Sequence, residues 1–451
     1  LRVSVDLPSL FDEIPIVTHF VLQNCEVELL RNDSGISNWD VLPEKTEEPE
    51  PKPEPDRTAL VPFSVKNLSI QDCSLLADSP DKEIPLKVRI DSATLQEPGG
   101  DRITANIAGG INDEELTLEG WLAPASVLQN GGRLEHRITL RAGDVSLVSS
   151  GTIADLATLA DPKLNGHLTG PDAAKVIAEL SLPPLSEGPF DFKLDLTTQD
   201  GMTVLDIDGD LGSLDIMANG RVDKLIEPGQ GNLWAQISGP NLQALGQALG
   251  VQGLVAEQFE FVADARLDGG KVQIDEAQLL MPADRLSVSG DMTLAEGLPG
   301  SRLKVDLKSD DLGRWAGLVN QPVLAFGAID LDGLIQTDDK GILAIEALAK
   351  HYGSALQVSG EIGPLNGPYR PDMNIDFSSD NPSDLLKIFT QQDFPDFPLE
   401  IHGNFASSPE QVRFNGVAVQ LDENSLKVDG HLNLAEQFAG SEFELDINIP
   451  D

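Results

Sequence analysis

A strand-like segment with a glycine near its centre returns five times along the chain, as LVSSGTI, IMANGRV, LSVSGDM, LQVSGEI and LKVDGHL. The glycines are Gly151, Gly220, Gly290, Gly360 and Gly430, at intervals of 69, 70, 70 and 70 residues. An interval this constant calls for a repeated structural unit, because each copy presents the same surface to the next. Some twenty residues beyond each of the first four glycines stands a polar residue followed by a short helical pattern: GPDAAKVIAEL, GPNLQALGQALG, SDDLGRWAGLV and NPSDLLKIFTQ. Asp172, Asn241, Asp311 and Ser383 are placed there as N-caps or first-turn residues. After the fifth glycine the chain stops at DINIPD, where a helix would be due, leaving the array open.

Within each interval the dominant signal has a period of two. In RLKVDLKS, Leu303, Val305 and Leu307 interleave with Lys304, Asp306 and Lys308. In SEFELDINI, Phe443, Leu445, Ile447 and Ile449 alternate with Glu442, Glu444, Asp446 and Asn448, and FDFKLDLTT sets out Phe190, Phe192, Leu194 and Leu196 in the same way. Alternation puts one greasy and one wet face on each strand. That suits antiparallel sheet with a solvated side. The expected fold is therefore mainly β: an elongated, curved antiparallel sheet of repeating units, each of about 70 residues with four or five strands and one short helix, forming an apolar groove. A propeller is the rival, but its blades recur every 40 to 50 residues or so and have no reason to end in a helix.

Residues 43–58, PEKTEEPEPKPEPDRT, cannot pack a core and read as an extended acidic linker. Related strand motifs flank it, so it reads as a loop inserted in one fold. The organisation is then N-terminal strands over 1–42, the linker, a β segment over 59–140 and the repeating units over 141–451. A net charge of −43 in 451 residues, without any Lys/Arg cluster, excludes nucleic acid and bare anionic membrane as direct partners. Residue 1 is a Leu already inside a strand pattern, so a longer parent chain is expected. No stretch approaches 18 apolar residues, so any membrane anchor is expected outside this chain. Cys25 and Cys73 share the contexts LQNCEVEL and IQDCSLL. They read either as small half-buried residues of two related strands or as one disulfide in an oxidising compartment.

Motifs for chemistry are missing. DIDGDLGSLD alternates Asp206, Asp208 and Asp210 like a calcium loop, but Leu211 and Met217 stand where that loop needs Gly and Glu. The six histidines (19, 136, 167, 351, 402 and 431) have no metal-ligand spacing. There is no nucleophile elbow, phosphate loop or dinucleotide fingerprint, so neither enzyme nor cofactor is expected. A carbohydrate-acting enzyme would need a carboxylate cluster that breaks the repeat, and none stands out. What remains is the apolar face. About twenty strands at ~4.8 Å make a sheet on the order of 95 Å long. A 16-carbon acyl chain needs about 13 kcal/mol of compensation outside a bilayer, at ~0.8 kcal/mol per methylene, and such a trough supplies it. The representative groove residues are Phe192, Leu194, Leu196, Leu303, Val305, Leu307, Phe443, Leu445 and Ile447. The alternative is a scaffold whose apolar face is a closed core or receives a client strand.

Several stretches carry a resemblance. They are VSVDLPSLFDEIPIVTHFVLQNCEVELLRNDSGISNWDVL, an acidic Pro-rich break, then FSVKNLSIQDCSLLADSPDKEIPLKVRIDSATL, with SSGTIADLATLADPKLNGHLTGPDAAKVIAELSLPPLSEGPFDF and LGSLDIMANGRV further on. The chain resembles the AsmA family of bacterial envelope proteins over essentially its whole length, and the turn from Gly35 to Trp39 acts as a family marker. Nothing near that turn forms a catalytic set, so Arg31 and Asn38 are not expected to be catalysts, and Trp39 is expected to pack against the first strands. The resemblance implies a periplasmic body anchored in the inner membrane. Residues 1–42 and 59–140 would be AsmA-type strands, and a repeating β-groove like that of TamB-like and YhdP-like bridge-forming lipid transfer proteins would follow. It implies phospholipid acyl chains as cargo, a role in outer-membrane biogenesis with outer-membrane proteins as further partners, and no catalytic residues to carry over.

Overall fold

The computed structural model describes residues 1–6, 16–31, 38, 64–78, 86–112, 114–124, 127, 132–155, 158–174, 187–226, 228–319, 327–364, 369–383, 387, 396–434 and 438–449. The 43–58 linker and the Gly35 and Trp39 positions lie outside them. The protein is mainly β: of the described residues, 69% are in strands and 6% are helical. That balance follows from the period-two patterning and the short, isolated helical patterns. The chain divides into two compact units: Leu1–Ala173 with Gly188–Gly212 and Arg221–Glu227, and Ala174–Glu187 with Ser213–Gly220 and Pro228–Asp451.

In the first unit Arg2–Val5 pairs antiparallel with Ile16–Leu30, which then pairs in parallel with Asn67–Asp78. The latter pair brackets the linker, and Cys25 stands directly opposite Cys73 across it. The two are joined by a disulfide, with Cα atoms 4.5 Å apart. From Asn67–Asp78 onward each strand pairs antiparallel with the next in chain order, through Leu86–Gln96, Ile103–Ile111, Glu114–Leu122, Leu134–Ala142, Val145–Ile153, Lys163–Gly170, Phe190–Gln199 and Met202–Leu211.

The second unit continues the pattern by itself. Its ladder runs antiparallel from Gln230–Gly239 through Phe259–Asp268, Lys271–Leu280, Asp284–Thr293, Arg302–Ser309, Ile329–Thr337, Ile342–His351, Ser354–Pro364, Asp372–Ser379, Leu399–Ser407, Gln411–Leu421 and Asn424–Asn433 to Glu442–Asn448. Among the described residues no pairing joins the ends of either ladder, so each is an open sheet.

The recurring glycines share one geometric role. A Cβ on Gly151, Gly220, Gly290, Gly360 or Gly430 would lie 2.0–2.2 Å from a backbone carbonyl of the following strand: Lys163, Asn232, Arg302, Asp372 and Glu442 respectively. Four of the five also hold φ between +134° and +156°, which L side chains rarely adopt. Glycine recurs because the next backbone occupies the side-chain position.

The helical patterns appear where the caps place them. The α-helix Leu242–Ala248 opens with the Asn241 side chain accepting from the Ala244 amide at 3.1 Å. Asp311 accepts from Gly313 and Gly327, at 3.0 and 3.1 Å, but the segment it caps, Leu312–Val319, is a 3₁₀ helix rather than α. There Gly317 meets the Gly253 backbone so closely that a Cβ on it would lie 2.7 Å from the Gly253 carbonyl oxygen. At Ser383 the helix is already under way, and Asn381 accepts its amide at 3.1 Å, so Asn381 is the capping residue and Ser383 a first-turn residue. Asp172 directly precedes the helical residues 173 and 174.

Candidate functional site: the apolar sheet face

Residues directly opposed in an antiparallel ladder share a face, so register decides what the alternation builds. Across the thirteen strands of the second unit's ladder, one row runs Leu233, Ala265, Ile274, Gly290, Leu303, Ile335, Ile345, Gly360, Met373, Phe405, Phe414, Gly430 and Phe443. Two residues along each strand, a middle row of small side chains passes from Ala235 through Val288, Val305, Ala347, Val358 and Val428 to Leu445. A third, bulkier row runs from Ile237 through Leu279, Leu307, Leu356, Phe377 and Leu426 to Ile447. Every position in the three rows is apolar or glycine. Bulges at Asp275–Glu276 and Asn415–Gly416 absorb extra residues and keep the rows in phase.

Leu303, Val305 and Leu307 therefore fall in the same three rows as Phe443, Leu445 and Ile447. Phe192, Leu194 and Leu196 build the equivalent face of the first unit, against Gly209, Ile207 and Leu205 on one side and Leu168, Gly166 and Leu164 on the other.

The burial of this face is its distinguishing property. In the three rows of the second unit only Val417 is buried. The others are half-buried or exposed, up to 61% at Ile447. A sandwich core would bury such residues almost completely. Bulky apolar side chains in register, half-buried or exposed at every position but Val417, form a surface that still has apolar area to lose.

The opposite face is wet. Lys304 pairs with Asp306 at 3.1 Å and Lys308 with Asp330 at 3.7 Å. Asp306 stands directly opposite Asp332, and the hydrogen bond between the two carboxyls holds Asp306 below and Asp332 above the ordinary aspartate range. Lys304 offsets the charge, so the pair is a solvated ladder contact. Asp206, Asp208 and Asp210 also lie on a wet face, opposite Asp195, Lys193 and Asp191, within the strand Met202–Leu211. Among the described residues no group of three His, Cys, Asp or Glu side chains is placed to hold a metal.

At one end of the second unit's rows, buried polar groups tie helix to sheet. Asp284, with a fully buried side chain, accepts from the Ser309 hydroxyl and lies 3.3 Å from Arg314, which also pairs with Glu257. Glu257 raises the Arg314 guanidinium further above its ordinary value. One interval later, Ser354 and Ser379 occupy the matching positions and bond to each other at 2.7 Å. Neither cluster was legible in advance, because both lie on strand ends where alternation gives way to turn chemistry.

Near the N-terminus, Asn38 is held as a brace on the strand Ile16–Leu30. Its amide donates to the Leu30 carbonyl at 2.9 Å, its Oδ1 accepts from the Leu30 amide at 3.0 Å and its Nδ2 donates to the Glu28 carbonyl at 2.8 Å. It thereby satisfies backbone groups of that strand. Among the described residues no helix is long and apolar enough to cross a membrane. No family model, curated protein or solved structure matches the chain.

Proposed function

We propose that this chain is a non-enzymatic lipid conduit: the periplasmic body of an envelope protein anchored in the inner membrane by a segment outside this chain. It moves phospholipid between the inner and outer membranes along an apolar β-groove and so supports outer-membrane homeostasis. The observation that carries this reading is the set of three unbroken apolar rows in which only Val417 is buried. Acyl chains laid across the rows cover that area and gain about 0.8 kcal/mol per methylene transferred from water, while headgroups remain at the open rim. On this reading the 70-residue interval is the building unit of the groove. Each unit adds four strands, or about 19 Å of trough at ~4.8 Å per strand, and one short helix at the rim.

Two further observations agree with the compartment. The Cys25–Cys73 disulfide suits an oxidising space, and the resemblance to the AsmA family points to the same place. The excess of carboxylates keeps the outer face hydrated and favours solubility. The test is photocrosslinking in cells. A crosslinker at Val305 or Leu445 captures phospholipid and one at Lys304 or Glu444 does not, and lipid mass spectrometry of the purified chain finds phospholipid. Equal labelling of the two faces overturns the groove. Recovery of outer-membrane barrel proteins with no lipid overturns the conduit in favour of an assembly factor.

A further inference from the structure

In the first unit the apolar face carries a buried polar pair in mid-sheet. Four of its strands place Leu122, His136, Gly151 and Leu164 in one row, and the adjacent row holds Ile138, Ser149 and Gly166. His136 and Ser149 sit diagonally, with Nε2 and Oγ 2.8 Å apart. They are 6% and 8% exposed. Nδ1 of His136 is buried and has no hydrogen-bond partner. The signal was present in LEHRITL and VSLVSSGTI, where both residues fall in phase with the apolar positions.

A half-satisfied polar pair on a greasy face is costly, because the bare group has surrendered water and received nothing. Burial also pushes the His136 imidazole below its ordinary value, so the ring is neutral. A neutral ring has two arrangements. If Nε2–H donates to Ser149, Nδ1 is an open acceptor and the serine O–H an open donor. If the serine donates, Nδ1–H is an open donor and the serine lone pairs are open acceptors. Either way the pair presents one donor and one acceptor. A hydroxyl, itself both donor and acceptor, matches both arrangements, whereas an ester carbonyl matches only donors. With no third group orienting Nδ1, the pair lacks the relay that activates a serine nucleophile.

We propose that His136 and Ser149 form a hydrogen-bonding station in the apolar face, one that receives an oxygen carried on an otherwise apolar chain, foremost the hydroxyl of a hydroxyacyl lipid. This rests on the lipid-conduit reading and names a chemical class of cargo for it.

The probes are tetradecanoate, 3-hydroxytetradecanoate, methyl tetradecanoate and tetradecane, titrated against a fluorescent fatty acid bound to the whole chain. The wild type prefers the hydroxylated acid over the plain acid by about tenfold, the worth of one dry hydrogen bond. The double variant His136→Leu/Ser149→Ala keeps tetradecanoate binding and loses the preference. The ¹⁵N resonance of His136 Nδ1 moves only with the hydroxylated probe. If hydroxyl discrimination is absent but the methyl ester is favoured over tetradecane, and the double variant abolishes that, the oxygen received is the ester carbonyl. If the double variant misfolds, His136→Gln, which keeps a polar amide, reports the same preference at reduced size. Binding of tetradecanoate with no oxygen-dependent preference overturns the station and leaves the conduit standing. Failure of every probe to bind overturns the conduit itself.

Discussion

Placing a carboxylate in the middle apolar row separates a lipid groove from an ordinary sheet. Val358 is the informative position. It is half-buried, its cross-strand neighbours Ala347 and Ile375 are apolar, and Leu356 and Gly360 flank it on the same face. On the proposed reading, Val358→Asp sets a hydrated carboxylate in the middle apolar row, and an acyl chain laid across that strand must lift away from it. One strand step of ~4.8 Å is covered by about four methylenes. At ~0.8 kcal/mol each, the loss is about 3 kcal/mol, or roughly a 200-fold weaker interaction. Because Val358 is not enclosed, the new carboxylate keeps its water when no lipid is bound, so the fold should lose little stability. The control is Ser359→Asp, one residue along on the wet face, with the same charge and strand. Phospholipid recovered by mass spectrometry and affinity for a fluorescent phospholipid should both collapse in Val358→Asp and hold in Ser359→Asp, with both variants melting near the wild type. The reasoning is refuted if Val358→Asp retains lipid like the wild type. It is also refuted if Val358→Asp unfolds the second unit, which would mark the face as a packed core.

Other outcomes follow from the scaffold. Replacing Cys25 and Cys73 by Ala should cost about 4 kcal/mol, the loop-entropy value for a closure of 48 residues, read as a lower urea midpoint that reduction of the wild type reproduces. Gly360→Ala puts a Cβ 2.0 Å from the Asp372 carbonyl oxygen at φ +156°, and should cost at least ~3 kcal/mol from strain and strand separation together. Gly416→Ala, with open space around it, should cost about 1 kcal/mol, and equal melting of the two variants would remove the close-approach explanation. Arg314→Met leaves Asp284 as a buried charge facing Ser309 alone and should destabilise by about 3–5 kcal/mol, most of it recovered when Asp284→Asn is added. His136 binds a proton less readily folded than unfolded, so stability is complete above its ordinary pKa near 6.5 and declines as pH falls below it. The slope should not exceed about 1.4 kcal/mol per pH unit for one proton, and His136→Gln should flatten it between pH 6.5 and 5 in chemical denaturation.

What could be read from the residues, and what could not, divides along the range of the forces involved. Alternation is local: Leu303, Val305 and Leu307 share a face whatever else happens, because the strand period is two. The recurring glycines were legible as marks, though not as contacts, since the carbonyl each one admits belongs to a strand ten or more residues away. The N-caps succeeded at Asn241 and Asp311, where a side chain needs to reach only two or three residues. The same reach could not tell 3₁₀ from α at Leu312–Val319, where a glycine contact with Gly253 from outside the helix intrudes. The Cys25–Cys73 bond and the His136–Ser149 pair are register effects. The matching cysteine contexts left the disulfide as one of two readings, and the in-phase His136 and Ser149 marked polar interruptions, but which residues meet depends on which strand lies beside which. The least local property is the one on which the proposed function turns. Sequence specifies that a face is apolar, but whether a second layer covers it depends on every other element of the chain. In the second unit none of them buries the rows beyond Val417. A face of that kind gains by meeting an apolar molecule, and on the proposed reading thirteen strands in register would give that molecule a path rather than a pocket.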